Sequence, residues 1–283
     1  MSTPHTFLGE YLRARRSLVQ PEDFGIVSVR ARRVPGLRRS EVANLAGISP
    51  EYYLRLEQGR DRHPSHQVLA ALVRALHLNA AALEHMHRLA RLDAADLNAA
   101  AVIASKDIEP GLTELVDGLT DVPALLMSAE QDVLAANRLA RTIRPNLLPG
   151  RNFLLEHFTD RARAESIEWD ADARRAVANL RFHGDPRSSR FREVVGTLAV
   201  RDDTFRQLWA RHDVEQQVVW GARLRLGSEG DVELICHSLP VPGGSGRALL
   251  TLTAEPGSAA AQSLRKFTAQ EDCDEGTSEE KVA

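Results

Sequence analysis

The stretch that most limits what this chain can fold into runs from Leu37 to Arg60, LRRSEVANLAGISPEYYLRLEQGR. Val42, Ala43, Leu45 and Ala46 give a short apolar face at helical spacing, and Gly47 follows where the chain must turn through a positive φ that residues with a Cβ resist. Ser49 then offers a hydroxyl to the free N–H groups of a second helix, Pro50 fits its first turn, and Glu51 suits the positive end of its dipole. In that helix Tyr53 and Leu56 fall three apart and are expected to face the core, which leaves Pro50, Glu51, Tyr52 and Arg55 outward. The stretch reads as a helix-turn-helix whose outward face is a candidate reading head for a nucleic-acid groove. A helical hairpin without that role has the same spacing.

The net charge of −3 over 283 residues hides a division within the chain. Residues 1–92 carry 14 arginines, no lysine and 8 acidic residues, a surplus of 6 positive charges, whereas the remainder carries 22 basic and 31 acidic groups, a surplus of 9 negative ones. Only the first part suits phosphates; the second would be repelled by them. The length allows two domains of roughly 100–150 residues each. No apolar run reaches the roughly 18 residues that span a bilayer, and the start lacks a signal-peptide layout, so a cytoplasmic location is expected. Cys236, in a predicted strand, and Cys273, in a polar tail, lack partners at metal spacing and read as thiols without a role.

In chain order, Phe7 to about Leu18 forms a first helix with Phe7, Leu8, Tyr11 and Leu12 on one face. A long connection, Gln20 to Gly36, carries Arg30, Arg32 and Arg33, which serve equally as a phosphate-tracking arm or as a solvated charge run. Gly59 lets the chain leave the second helix of the hairpin, and Arg60, Arg62 and His63 follow on the side expected to face a duplex. Together with Arg39, Arg60 and Arg62 are the candidate phosphate contacts, Ser49, Pro50, Glu51 and Tyr52 line the reading face, and Arg55 is placed to reach a guanine edge or, alternatively, a phosphate or Glu51. Two more helices, from Pro64 with Val68, Leu69, Leu72, Val73 and Leu76, and from about Ala80 to Arg91, complete a five-helix bundle. His63 with His66 and His85 with His87 lack zinc spacing and read as solvent-facing, so no metal or cofactor is expected. Since one short reading helix covers few base pairs, a homodimer on a palindromic or pseudo-palindromic double-stranded operator is expected.

A linker over residues 93–110 ends at Glu109-Pro110-Gly111, and a second domain follows over residues 111–267. It begins with a helix from Gly111 to Leu119 and a hairpin, Val122–Ser128 and Asp132–Asn137, continues through a helical middle to about Arg211, and closes with alternating segments near Gln217–Leu226, Val232–Leu239 and Arg247–Ala254. The expected architecture is therefore an all-α helix-turn-helix domain followed by an α+β domain, a five-stranded antiparallel sheet with helices over one face. Residues 268–283 are acidic and without apolar spacing, and a disordered tail is expected there. The chain has no G-x-S-x-G, no H-E-x-x-H and no phosphate loop, since Gly243-Gly244-Ser245-Gly246 lacks a following Lys, so no enzyme is expected.

The helix-turn-helix, with Leu12, Arg13 and Arg16 before it and Leu56-Glu57-Gln58-Gly59-Arg60 at its end, resembles that of the phage repressor/Cro (XRE) family of DNA-binding regulators. More narrowly, LGEYLRARR, RRVPGLRRSEVANLAGISPEYYLRLEQGR, VPALLMSAEQDVLAANRLAR, GRNFLLEHF and FRQLWARHDV look like the regulators that carry an MmyB-like ligand-binding domain. The resemblance implies an ion pair between Arg16 and Glu57, and a PAS-like second domain enclosing an apolar cavity. A fatty-acid-like ligand is the class it implies; an alternative is a ligand-free dimerisation or partner-recruitment module. The candidate walls are Leu126, Leu134, Asn137, Phe153, Phe158, Trp169, Phe205, Trp209 and Trp220, for which plain core packing is the competing explanation. Arg151 and Asn152, at a predicted helix start, are candidates to meet a carboxylate, and helix capping alone also accounts for them. The chain departs from many such regulators at Leu226-Gly227-Ser228-Glu229-Gly230, where they carry a His-Pro pair and a longer tyrosine-bearing strand, which bears on ligand identity.

Overall fold

The computed structural model describes residues 6–26, 36–95, 109–226, 230–243 and 246–267, so the arginines of the proposed arm, most of the linker, residues 227–229 and the acidic tail lie outside the described residues. Two compact units are formed, one from Met1–Val102 with Gln207–Glu215 and the other from Ile103–Arg206 with Gln216–Ala283.

In the first unit the described residues of the N-terminal part form α1 (Phe7–Leu18), α2 (Arg39–Ala46), α3 (Pro50–Glu57), α4 (His66–Ala75) and α5 (Ala80–Ala94), with a short 3-10 turn at Pro21–Phe24. Each start is capped as its sequence dictates. The Ser49 hydroxyl accepts the Tyr52 N–H at 3.1 Å, the Arg38 N–H donates to the Glu41 carboxylate at 2.6 Å, and Asp93 in the last turn of α5 accepts the Phe7 and Leu8 N–H groups at 2.9 and 3.0 Å. Gly47 takes φ +66° at the turn between α2 and α3. Two glycines allow close packing here: a Cβ on Gly9 would come within 2.5 Å of the Glu57 carbonyl, so α1 meets the backbone of α3 directly, and one on Gly59, itself at φ +66°, would come within 2.6 Å of the Thr6 hydroxyl.

The core of this bundle contains Leu8, Leu12, Leu37, Val42, Tyr53, Leu56, Leu69, Leu72 and Met86. A charged group lies among them. Glu57, 2% exposed, accepts from Arg16 Nε and Arg39 Nε, each at 2.6 Å, while Arg16 Nη1 donates to the Leu37 carbonyl at 2.9 Å. Burial alone would raise the Glu57 carboxyl, but the hydrogen bonds from Arg16 and Arg39 outweigh it and hold the group below its usual range.

Three expectations change here. Leu45 is 39% exposed, because Val42, Ala43 and Ala46 fall within one narrow stripe of α2 and Leu45 lies off it. His85 is buried with its ring edge-on to Tyr11 at 5.0 Å, so it is a core histidine. Residues 207–215 pack in the first unit: Arg15 Nη1 donates to the Arg211 carbonyl at 2.7 Å and to Asp213 at 2.6 Å, and the Asn79 amide donates to the Val214 carbonyl at 3.0 Å.

The second unit is α+β. Its elements are α6 (Pro110–Gly118), β1 (Ala124–Met127), β2 (Val133–Ala136), α7 (Arg138–Ile143), α8 (Phe153–His157), α9 (Asp160–Glu165), α10 (Trp169–His183), α11 (Ser189–Arg201), the start of α12 (Asp203–Ala210), β3 (Val219–Arg225), β4 (Asp231–Pro240), β5 (Ala248–Thr253) and a final helix over 259–267. The five strands are ordered β2-β1-β5-β4-β3, every neighbouring pair antiparallel. Helices do not keep to one face. α6 covers the β2-β1-β5 part of the outer face, where Val116 packs with Ala124, Leu126 and Ala135, while the outer sides of β3 and β4 stay open, with Val219 and Ile235 exposed.

Because a single change at Glu57 would leave Arg16 buried without its counter-charge, Glu57→Ala is expected to cost about 3–5 kcal/mol of stability, read by calorimetry as a lowered melting temperature of the first unit. The depressed carboxyl sets the pH dependence: its contribution is complete above the unfolded value near pH 4.3 and is lost as pH falls through the lower folded value. An E57A variant whose melting follows the same acid limb as wild type would contradict this.

Candidate nucleic-acid interface and ligand cavity

The outward face of α3 is assembled by the Ser49 cap and by the burial of Tyr53, Leu56 and Glu57 on its other side. Pro50, Glu51 and Arg55 are exposed and Tyr52 is half-buried. The Arg55 guanidinium sits 5.3 Å from the centre of the Tyr52 ring and, among the described residues, forms no ion pair with Glu51. The alternative in which Glu51 consumes Arg55 is therefore not the arrangement found; the arginine is held against an aromatic face with its forked donors free.

The candidate phosphate contacts divide in three ways. Arg60 is exposed, its backbone N–H bonded to the Arg55 carbonyl at 2.9 Å and its guanidinium without a partner among the described residues. Arg62 is exposed but steadied by the Gly59 and Asp93 carbonyls at 3.5 and 3.3 Å. Arg39 gives its Nε to Glu57 while its side chain remains 48% exposed, so it belongs to the core network first and offers only its terminal nitrogens outward. Ser49 spends its hydroxyl on the cap.

In the second unit a cavity of about 800 Å³ lies between the inner face of the sheet and α7 to α10. Its sheet wall is Leu125 and Met127 from β1, Trp220 and Leu224 from β3, Cys236 from β4, and Leu250 and Leu252 from β5. The register stacks these side chains in rows, Trp220 beside Cys236 beside Leu252, and Ser238 beside Leu250 beside Leu125.

Of the residues expected to form the walls, Phe153 and Trp220 do so. Leu126 and Leu134 lie on the other side of the pleat, in the cluster beneath α6. Asn137 is a scaffold residue: its Oδ1 accepts the Ala124 and Ala140 N–H groups at 3.0 and 2.9 Å, and its Nδ2 donates to the Leu119 and Val122 carbonyls at 2.6 and 2.7 Å. Asn152 caps α8 through the Leu155 N–H at 3.1 Å, and Arg151 is exposed beside Glu156 at 3.3 Å, so neither lines the cavity. Phe158, Trp169 and Phe205 pack edge to face with ring centres 5.2 and 5.5 Å apart, a core cluster, and Trp209 belongs to the first unit.

Three cavity residues were not singled out as ligand contacts from sequence. Arg144 follows α7, where Pro145 stops the helix. His157 closes α8, its ring stacked between Phe153 and Trp169 at 5.5 Å from each. Burial drives its pKa down, so the imidazole is neutral near pH 7, and among the described residues its Nε2 has no hydrogen-bond partner. Cys236 is buried in the sheet wall, and burial pushes its thiol up to about 12, which keeps it protonated and unreactive.

A basic helix-turn-helix bundle joined to an α+β unit with a cavity against the sheet is the layout of a DNA-binding transcription regulator with a ligand-binding domain. Residues 108–267 match the family described as MmyB-like transcription regulator ligand binding domain, and residues 7–86 match a helix-turn-helix domain family. The chain belongs to the MmyB-like transcription regulators. No curated protein matches it.

If Arg60 and Arg62 neutralise phosphates, each lost arginine should make the log–log dependence of operator affinity on salt shallower by about 0.9. Fluorescence anisotropy of the R60A/R62A double variant between low and moderate salt measures this directly. An unchanged slope would move the phosphate contacts elsewhere.

Proposed function

We propose that the protein binds a palindromic operator as a homodimer and that its second domain takes up a small fatty-acid-like amphiphile that sets operator affinity. The observation that carries the ligand half is the cavity of about 800 Å³ with a mostly apolar sheet wall and a mixed polar and apolar helix wall, within the usual range for small-molecule sites, in a domain whose family is described as ligand-binding. The DNA half rests on the exposed α3 face with Arg55 poised over Tyr52. The half-site pairing rests on the limited reach of one eight-residue helix.

A second reading is a ligand-free dimerisation or recruitment module, favoured by the uncovered outer side of β3 and β4 with Val219, Ile235 and Leu239 exposed. Organic extraction of the purified protein followed by mass spectrometry separates the two. A stoichiometric acyl compound supports sensing, and repeated emptiness together with an unchanged melting temperature on adding dodecanoate supports the module.

On the DNA side, Arg55→Ala is expected to keep the half-site pattern in binding-site selection but lose one guanine at a symmetric position of each half, at a cost of about 1–3 kcal/mol per contact. Uniform weakening with the same consensus would make Arg55 a backbone contact and leave Glu51 and Tyr52 as the readers.

A further inference from the structure

Arginines stand at the cavity or its rim at positions 144, 161, 175, 223 and 225, of which 161, 223 and 225 are exposed. Four of them have an acidic partner: Arg161 bonds Glu165 at 2.8 Å, Arg175 bonds Asp172, Arg223 faces Glu168 at 3.5 Å, and Arg225 bonds Asp231 at 2.8 Å. The Arg144 guanidinium has none, and among the described residues it makes no hydrogen bond either. Its place is fixed by the backbone, since its N–H closes α7 on the Ala140 carbonyl at 2.9 Å and its own carbonyl accepts the Leu147 N–H at 2.9 Å.

Arg144 is half-buried against the cavity, and a guanidinium that gives up part of its hydration without gaining a counter-charge is destabilised, which is why its pKa is pushed down. Asp172 and the Cys236 thiol lie near enough to act on it electrostatically, but the Asp172 carboxylate is already held by Arg175 and the thiol is neutral. This pole of the cavity therefore has one positive charge left over. A second group without a partner stands in the same cavity wall: His157, 6% exposed, with its Nε2 unsatisfied.

We propose that Arg144 is the head-group anchor of the cavity and that the ligand carries a single acidic head group, bound by the Arg144 guanidinium with His157 beside it and with its apolar chain against Leu125, Met127, Trp220 and Leu250. The anchor rests on the reading of the cavity as a ligand site. It replaces Arg151 and Asn152, which face away from the cavity's contents, as the groups that meet the acid. It also gives the class of ligand a rule: of two molecules with the same chain, the one with the ionised head binds tighter.

Calorimetric titration of the full chain with dodecanoate and with 1-dodecanol tests this. Wild type should bind the acid at least about tenfold tighter than the alcohol, the worth of a charge-assisted hydrogen bond. In Arg144→Met that ratio should fall to near one with the alcohol's affinity kept, Arg144→Lys should retain most of it, and Arg151→Ala should leave it unchanged. The melting temperature of the ligand-free Arg144→Met variant should stay level or rise, because an unpaired, half-buried cation has been removed, whereas a structural arginine would lower it. A preference for the acid that survives Arg144→Met overturns the anchor. Equal binding of both probes by wild type overturns the anchor and leaves the cavity reading intact, and binding of neither overturns both.

Discussion

The DNA-binding unit depends on one carboxylate that has no access to water. Glu57 ends α3, the candidate reading helix, and receives Arg16 from α1 and Arg39 from the first turn of α2, while Arg16 also reaches the carbonyl of Leu37 at the entry to α2. Three helices are thereby fixed at one point. Hydrophobic packing alone is non-directional and would tolerate rotation of so short a helix about its axis, whereas charge-assisted hydrogen bonds are directional. The angle at which Pro50, Glu51, Tyr52 and Arg55 leave the surface follows from that point. Gly9 serves the same geometry by letting α1 close onto the backbone of α3 at Glu57.

In the second unit the governing constraint is the two-residue period of β1. Leu125 and Met127 face the cavity and Leu126 faces α6, so four consecutive buried residues serve two different interiors. The remaining strands follow the same parity through their pairing with β1 and with one another, which places Leu250, Leu252, Cys236 and Trp220 on the cavity side. The result is a sheet wall whose inward side chains are mostly apolar, with Arg144 at the end of α7 set against it.

The parts of this arrangement that were legible in the sequence are those written in local chemistry. The caps at Ser49 and Asn152, the left-handed turns at Gly47 and Gly59, and the alternation of β3 to β5 all leave marks within a few residues of where they act. What was not legible depends on parity or on distant partners. β1 is buried on both faces, so nothing in Ala124-Leu125-Leu126-Met127 says which leucine meets the cavity. His85 is internal because Tyr11 of another helix stands against it, and residues 207–215 join the first unit through Arg15 and Asn79, both more than a hundred residues away. Arg144 did leave a trace: residues 133–155 contain no acidic side chain, so no local partner was available to it.

The central claim is that one chain both reads DNA and responds to an acidic amphiphile, and binding linkage makes that claim measurable, because a ligand that alters operator affinity must have its own affinity altered by the operator by the same factor. The direct measurement is titration of the full-length protein with a selected operator, with and without saturating dodecanoate, in wild type and Arg144→Met. The account predicts a dodecanoate-dependent change in operator affinity of about fivefold or more in wild type, within the usual size of such couplings, and little change in the variant. Identical operator affinities with and without dodecanoate in a wild-type protein shown to bind it would contradict the account.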